Sequence, residues 1–201
     1  LGQPKLEGLE SELERYARER PISLVLPVTY SDLHSPACQN IFRELRKVTY
    51  IEEFVVTMGA ANSKQQFEEA KHLIQELPEN RVLIWCNSPR IRKLYKLLER
   101  QDLRVGGDGK GRSAWTAYGY IIARGTCWVI ALHDCDIVNY NRELLARLCY
   151  PCTNPNLDYE FCKGFYARVS DRMHGRVTRL YVVPMLRSLI KNLGYLPFLD
   201  Y

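Results

Sequence analysis

The chain has 201 residues, of which 46% are hydrophobic, so it is long enough for one sizeable core with a second small lobe. We expect no signal peptide and no membrane span, since no apolar run approaches the length of about 20 residues that a spanning helix needs. The net charge of +5 comes from dispersed Lys and Arg residues and suits a small anionic substrate as well as nucleic acid.

The chain contains seven cysteines, an odd number, which indicates mostly buried thiols in a reducing, cytoplasmic compartment. Cys149-Tyr150-Pro151-Cys152 is a single Cys-x-x-Cys pair. A structural zinc site needs four Cys or His ligands, usually from two such pairs, and a redox dithiol usually opens a helix. Because neither pattern is met, we interpret the pair as structural thiols.

Buried strands and amphipathic helices alternate along the first part of the chain. The predicted strands are Ile22–Leu26 (ended by Pro27), Phe54–Val56, Val82–Trp85 and Trp128–Leu132. Two of the intervening helices open with a Ser-Pro cap signal, at Ser35-Pro36 and Ser88-Pro89. A helix over Leu6–Ala17 has one apolar face, which packs against the core or against the partner subunit of a homodimer. This alternation predicts a right-handed α/β fold with a mostly parallel sheet.

The alternation ends after Asp136. The sequence then predicts a short helix around Leu144–Leu148, a loop over Tyr150–Tyr159, a strand over Phe161–Val169 and a last helix that Pro184 opens. The final residues have no terminating pattern, so we expect the chain to stop within a domain.

Two aspartates follow the strand Trp128–Leu132, in the run His133-Asp134-Cys135-Asp136. Parallel strands present their functional groups at their carboxyl ends. Carboxylate oxygens there suit Mg²⁺ or Mn²⁺ carrying a diphosphate. From these residues alone two interpretations stay open, a metal site or a loop with two solvated aspartates.

A glycine-dense loop, Val105–Gly111, surrounds Lys110 and precedes a predicted helix. It lacks the spacing of a P-loop and the preceding strand of a dinucleotide-binding fingerprint. Backbone N–H groups and an amine just before a helix suit an anion. The alternative is a plain surface turn with a solvated lysine.

A second cationic group lies in the C-terminal part: Lys163, Arg168, Arg172, Arg176 and Arg179. The guanidinium plane matches phosphate or carboxylate, so Arg176 and Thr178 suit an anionic acceptor. A solvated basic face is the alternative. Aromatic residues are interleaved with basic ones only over Lys163–Arg168, which disfavours nucleic acid. Together the two anion sites suit transfer from a nucleoside-diphosphate donor to a phosphorylated or carboxylated acceptor.

Several motifs resemble known glycosyltransferases. Pro27 after the first strand, Gly109-Lys110-Gly111 before a helix and Asp134-x-Asp136 after a buried strand occur in the order found in GT-A glycosyltransferases. Three longer motifs resemble the glucosyl-3-phosphoglycerate synthase family: Gly109-Lys110-Gly111-x-x-x-Trp115, Lys163-x-Phe165-Tyr166-x-Arg168 and Gly175-Arg176-Val177-Thr178-x-Leu180-x-x-x-Pro184-x-Leu186. The resemblance spans roughly Ile22 to Leu193.

The resemblance implies a GT-A, Rossmann-like fold over residues 1–201, with a nucleotide-sugar-binding part at 22–140 and the start of an acceptor-binding part at 141–201. It implies a metal-dependent, retaining transfer of a hexose from UDP-glucose or GDP-mannose to 3-phosphoglycerate or a similar small anionic acceptor. The alternatives are a non-catalytic nucleotide-sugar-binding module and a sugar-phosphate nucleotidyltransferase.

The resemblance also assigns roles to individual residues. The nucleotide sugar is expected to contact Pro27, Thr29, Asp32, Lys110 and Asp134. Asp134 and Asp136 are the expected catalytic pair that holds Mg²⁺ or Mn²⁺. The acceptor is expected to contact Lys163, Gly175, Arg176 and Thr178. The chain departs from the family where Thr57-Met58 replaces an expected aspartate and where Asp32 is the nearest acid to Pro27, which leaves uridine and guanosine both open as the base.

Overall fold

The structure, a computed structural model, describes residues 5–157, 159–164 and 178–194. The chain divides into two compact units, Leu1–Lys163 and Gly164–Tyr201, which are considered separately. The elements of the first unit are α1 (Leu6–Ala17), β1 (Ile22–Thr29), α2 (Pro36–Leu45), β2 (Glu53–Gly59), α3 (Lys64–Leu73), β3 (Arg81–Trp85), α4 (Pro89–Glu99), α5 (Lys110–Arg124), β4 (Val129–Leu132) and α6 (Arg142–Thr153). In the second unit a π-helical turn, Thr178–Val182, leads into α7 (Val183–Leu193).

The four strands form one parallel sheet in the order β3-β2-β1-β4. The chain moves from β1 to β2 and β3 on one side and returns to place β4 on the other side of β1. The order therefore reverses between β1 and β4, which is where open α/β sheets bind ligands. The predicted α/β fold with a parallel sheet is confirmed.

Helices pack on both faces of this sheet. On one face, Ala117 and Ile121 of α5 pack with Val25 and Val55. On the other face, the apolar residues of α1, α2, α3 and α6 join those of β1 and β2 in a larger core. Leu13 of α1 is fully buried in that core, so this helix packs against its own chain. The homodimer stays a prediction.

The predicted helix starts at the two Ser-Pro signals are confirmed. The Ser35 hydroxyl accepts from the Cys38 backbone N–H at 3.1 Å, and the Ser88 hydroxyl accepts from the Ile91 backbone N–H at 3.3 Å. Each serine satisfies one N–H group that has no partner within the first turn of its helix. None of the helices among the described residues is long and apolar enough to cross a membrane.

The prediction that Pro27 ends the first strand was wrong, because β1 continues to Thr29. Val25 pairs with Leu132, and its carbonyl accepts from the His133 N–H at 3.4 Å, so Val25 faces β4. Pro27, two residues on, faces the same side, beyond the last residue of β4. No ladder hydrogen bond is required of it there, and a proline without an N–H group is tolerated in the strand.

The prediction of a fully buried strand at Trp128–Leu132 was also wrong. Within the described residues β4 pairs with β1 alone and is an edge strand. Its residues alternate in burial, with Ile130 36% exposed, and Trp128 before it is 68% exposed. An apolar run without alternation does not distinguish a central strand from an edge strand, because the two differ in how many neighbouring strands they pair with, which the run itself does not encode.

The C-terminal part of the first unit differs from the predicted pattern. Helix α6 runs through Pro151 to Thr153, so the loop predicted from Tyr150 begins later. The Thr153 hydroxyl donates to the Cys149 carbonyl at 2.8 Å and helps to close the last turn. Residues 161–164 are not in a strand, and the remainder of the strand predicted over Phe161–Val169 lies outside the described residues.

Candidate functional site

A pocket of about 320 Å³ lies at the carboxyl ends of β1, β2 and β4. Its lining residues are Pro27, Val28, Thr29, Asp32, Gly59, Ala60, Asp108, Gly109, Lys110, Ser113, Cys135 and Asp136. Strands β1 and β4 and the loop before α5 thus bring together Pro27, Thr29, Asp32, Lys110 and Asp136, all of which were selected from the sequence. Asp134 lies beside this group through its contact with Lys110.

The turn after β1 fixes Asp32. The Thr29 backbone N–H donates to the Asp32 carboxylate at 2.9 Å, and the Asp32 backbone N–H donates to the Thr29 hydroxyl at 3.2 Å. This reciprocal pair closes the turn with two side-chain-to-backbone bonds. The Asp32 carboxylate is therefore held at the pocket wall before any ligand binds.

The turn after β2 brings its backbone close to α5. A Cβ atom on Gly59 would lie 3.3 Å from the Ser113 hydroxyl, so a glycine permits this close approach. Ala60, the next residue, has a φ of 52°, in the left-handed region that alanine rarely adopts. The indole N–H of Trp85 donates to the Ala61 carbonyl at 2.9 Å and holds the turn in place.

Lys110 and Asp134 form an ion pair that joins the start of α5 to the segment after β4. Each side chain is about half exposed, at 52% and 41%. Both residues were selected from the sequence, but as separate features of two motifs. Their pairing places the amine next to the aspartates that follow β4.

The charges that line the pocket disfavour an anion by itself. Among the described residues, three aspartates, Asp32, Asp108 and Asp136, line the pocket together with one lysine, Lys110. Asp108 is paired with the Arg112 guanidinium, but Asp32 and Asp136 add negative charge, so a diphosphate that carries a divalent cation suits the pocket better than a bare one. No cluster of three or more Asp, Glu, His or Cys residues suited to a metal occurs within the described residues. Asp136 could still supply one carboxylate ligand to a cation that takes its other ligands from phosphate and water.

Sequence analysis did not select Asp108, which lines the pocket, or its two partners Asn87 and Arg112. Asn87 Nδ2 donates to Asp108 Oδ2 at 2.8 Å, and the Arg112 guanidinium pairs with Asp108 Oδ1 at 2.8 Å. The four-residue spacing of Asp108 and Arg112 at the start of a predicted helix was a signal that could have revealed their ion pair. No signal in the sequence connects Asn87, which follows β3, with either of them.

His133 is buried between β4 and the aspartates. Its Nδ1 lies 3.2 Å from the Asp134 carbonyl oxygen, which can only accept, so Nδ1 carries the proton. Its Nε2 then accepts from the Tyr140 hydroxyl at 3.1 Å. Burial lowers the pKa of His133 to about 4 from an ordinary value of 6.5. The imidazole is therefore neutral at pH 7 and acts as structural support.

This burial predicts a pH dependence of stability in metal-free buffer. The unfolded chain takes up a proton on His133 below pH of about 6.5, whereas the folded chain does so only near a pH of about 4. We therefore expect the free energy of unfolding to fall as the pH drops from about 6.5 to about 4. Below a pH of about 4, His133 is protonated in both states and should no longer contribute to the pH dependence. Urea unfolding of wild type and His133→Gln at several pH values measures it.

The exposed His72 provides a matched control. His133→Gln is expected to lose part of the wild-type slope between those pH values, and His72→Gln makes the same substitution at an exposed position. Equal slopes in all three proteins would contradict the assignment of a depressed pKa to His133.

The predicted acceptor residues are not brought together in the described part of the chain. Gly175 and Arg176 lie outside the described residues. Thr178 begins the π-helical turn of the second unit, and its side chain is outside the description as well. Lys163 is an exposed residue at the end of the first unit. Their role in binding an acceptor stays a prediction.

Sequence comparison finds relatives in the family that the motifs resemble. No protein-family model matches the chain. It is 44% identical over 196 residues to a glucosyl-3-phosphoglycerate synthase of Persephonella marina, covering 98% of this chain and 48% of that protein. The predicted resemblance is confirmed: the chain is homologous to glucosyl-3-phosphoglycerate synthases. A second such synthase, of Methanococcoides burtonii, is 34% identical over 187 residues, covering 91% of this chain and 46% of that protein.

The chain spans about half the length of these curated relatives. Two crystal structures of glucosyl-3-phosphoglycerate synthase from Mycobacterium tuberculosis share its fold with a TM-score of 0.55 and 20% identity. They cover 96% of this chain, which in turn covers 57% and 58% of those chains. One is a complex with UDP, and the other a complex with Mn²⁺, UDP and glucosyl-3-phosphoglycerate. The predicted GT-A fold is thereby confirmed.

Proposed function

We propose that this chain supplies the nucleotide-sugar site of a glucosyl-3-phosphoglycerate synthase, a retaining hexosyltransferase. The observation that carries the proposal is the pocket at the strand ends, where Pro27, Thr29, Asp32, Lys110 and Asp136 meet. Sequence homology to synthases over nearly the whole chain supports the same reaction. Residues 22–140 are proposed to bind the donor, and residues 141–201 to begin the acceptor site.

The donor is proposed to bind with Mg²⁺ or Mn²⁺ on its diphosphate. Asp136, whose carboxylate is exposed in the pocket, would hold the cation, with Asp134 nearby. Bound there, the cation would neutralise charge that develops on the departing diphosphate. Lys110 starts α5, so its amine and the helix N-terminus both favour an anion at this wall of the pocket.

The two halves of the donor would meet different walls. Pro27, Thr29 and Asp32 are proposed to contact the nucleoside, because the family resemblance assigns them to the nucleotide sugar and they line the pocket at the end of β1. UDP-glucose is the proposed donor, since UDP occupies the related Mycobacterium synthase, and GDP-mannose is the alternative. Both ligands are small anions, so the proposal includes no nucleic acid.

The acceptor is proposed to be 3-phosphoglycerate or a similar small anion. Lys163, Gly175, Arg176 and Thr178 match the family motif, and guanidinium and ammonium groups suit phosphate and carboxylate. We place the reaction in the cytoplasm, since the seven cysteines are all free thiols.

Turnover in the presence of 3-phosphoglycerate tests the proposal directly. Release of UDP from UDP-glucose, or of GDP from GDP-mannose, is measured with MnCl₂, with MgCl₂ and with EDTA. We expect release that requires both the divalent cation and the acceptor. Metal-dependent binding of UDP without release would instead indicate a nucleotide-sugar-binding module, and absence of both would contradict the proposed function.

A further inference from the structure

Three polar residues from three parts of the chain form a closed triangle beside the pocket. Asn87 follows β3, Asp108 lies in the glycine-lysine loop, and Arg112 is in the first turn of α5. Asp108 receives Asn87 Nδ2 on one carboxylate oxygen and Arg112 Nη2 on the other, each at 2.8 Å. Arg112 Nη2 also donates to Asn87 Oδ1 at 3.3 Å. Each member of this triangle, the loop brace, therefore contacts the other two.

The loop brace is anchored in packed surroundings. Asn87 is buried, and the Arg112 side chain is only 16% exposed. The guanidinium lies over the Tyr95 ring, with Cζ 4.9 Å from its centroid, and the Tyr95 hydroxyl bonds to the Thr116 hydroxyl at 2.7 Å. Partial burial strengthens an ion pair relative to one in water. The brace thus connects the loop to the segment after β3 and to the first turn of α5.

The loop that the brace holds is intrinsically flexible. It contains Gly106, Gly107 and Gly109, and glycine loses more backbone freedom on ordering than any other residue. Yet this loop supplies Asp108 and Gly109 to the pocket wall and leads directly into Lys110. A ligand that had to order the loop would bind with reduced affinity.

We propose that Asn87 and Arg112 are positioning residues for the donor, acting through Asp108 to hold the loop and Lys110 in their binding arrangement. This inference rests on the proposed function. Neither Asn87 nor Arg112 lines the pocket, whereas Asp108 does. The brace therefore predicts a loss of donor affinity on changing two residues that do not line the pocket.

Calorimetric titration of UDP in the presence of MnCl₂ tests the inference. Asn87→Ala and Arg112→Met are each expected to raise the Kd of UDP about tenfold, the effect of losing a charged hydrogen bond. In the double variant, the Kd of UDP is expected to rise by less than the product of the two single-variant factors, because the two residues share one network. Arg112→Lys keeps the charge facing Asp108 but not the planar fork, so it should restore part of the affinity.

Hydrogen exchange of the backbone amides over residues 106–111 gives a second readout without ligand. Exchange is expected to be faster in Asn87→Ala and Arg112→Met than in wild type. Glu10→Gln is the matched control, because it weakens the half-buried Arg142–Glu10 pair of 2.9 Å between α6 and α1, away from the pocket lining. It is expected to lower Tm while leaving loop exchange and the Kd of UDP unchanged.

The outcomes separate the brace from the proposed function. An unchanged Kd and unchanged loop exchange in both variants would overturn the inference. A raised Kd in Asp108→Asn alone would also overturn it, and would make Asp108 a direct donor ligand. If wild type itself does not bind UDP, the proposed function fails, and the loop exchange still decides whether the brace exists. Faster exchange would support the brace, and unchanged exchange would overturn it.

Discussion

Replacement of Asp136 by asparagine is expected to abolish metal-dependent binding of UDP. Asp136 presents an exposed carboxylate to the pocket, and asparagine keeps its shape while removing the charge that a hard divalent cation requires. Changing residues that only orient the ligands of a metal lowers its affinity by roughly 10–100-fold, so loss of a ligand charge should raise the Kd of UDP with Mn²⁺ by at least roughly 100-fold. Calorimetric titration with and without MnCl₂ measures both values.

The loss of UDP affinity in Asp136→Asn should depend on the presence of the divalent cation. With EDTA, wild type and Asp136→Asn should bind UDP equally weakly, since the carboxylate acts only through the cation. Asp102→Asn is the matched control, because Asp102 is exposed, lies outside the pocket and has a φ of 58°, which asparagine tolerates. Metal-enhanced binding that persists in Asp136→Asn would remove Asp136 from the metal site.

Replacement of Lys110 by methionine is expected to move two affinities in opposite directions. The change removes the Lys110 amine from the pocket lining and releases Asp134 from its ion pair. UDP with Mn²⁺ should bind about 10–100-fold more weakly, because a charge-assisted bond to the donor is lost. Mn²⁺ alone should bind more tightly, because a like charge is removed and a carboxylate is freed.

Paramagnetic titration with Mn²⁺, followed by titration with UDP, measures both affinities on one sample. Lys71→Met is the control, since Lys71 also pairs with a carboxylate, that of Glu68 at 2.9 Å, and does not line the pocket. It should change neither affinity. Weakening of both affinities in Lys110→Met would indicate that Lys110 supports the loop structurally and does not contact the donor.

The sequence alone was sufficient to predict the α/β architecture and the loops at which the pocket forms. Four apolar runs separated by amphipathic helices allow few arrangements other than a parallel sheet, and a parallel sheet places its strand ends at one edge. The family resemblance assigned Asp32, Lys110 and Asp136, which are far apart in the chain, to one donor site, and these residues line one pocket. The family motifs added the expected roles.

What only the tertiary structure decided is which groups face each other. Pro27 is tolerated inside β1 because β4 ends before reaching it, and Lys110 is paired with Asp134 before any ligand binds. The contact of Asn87 with Asp108 joins two loops 21 residues apart. Local periodicity depends on each residue's own neighbours in the chain, whereas these pairings depend on the order of the strands and on how far each one extends.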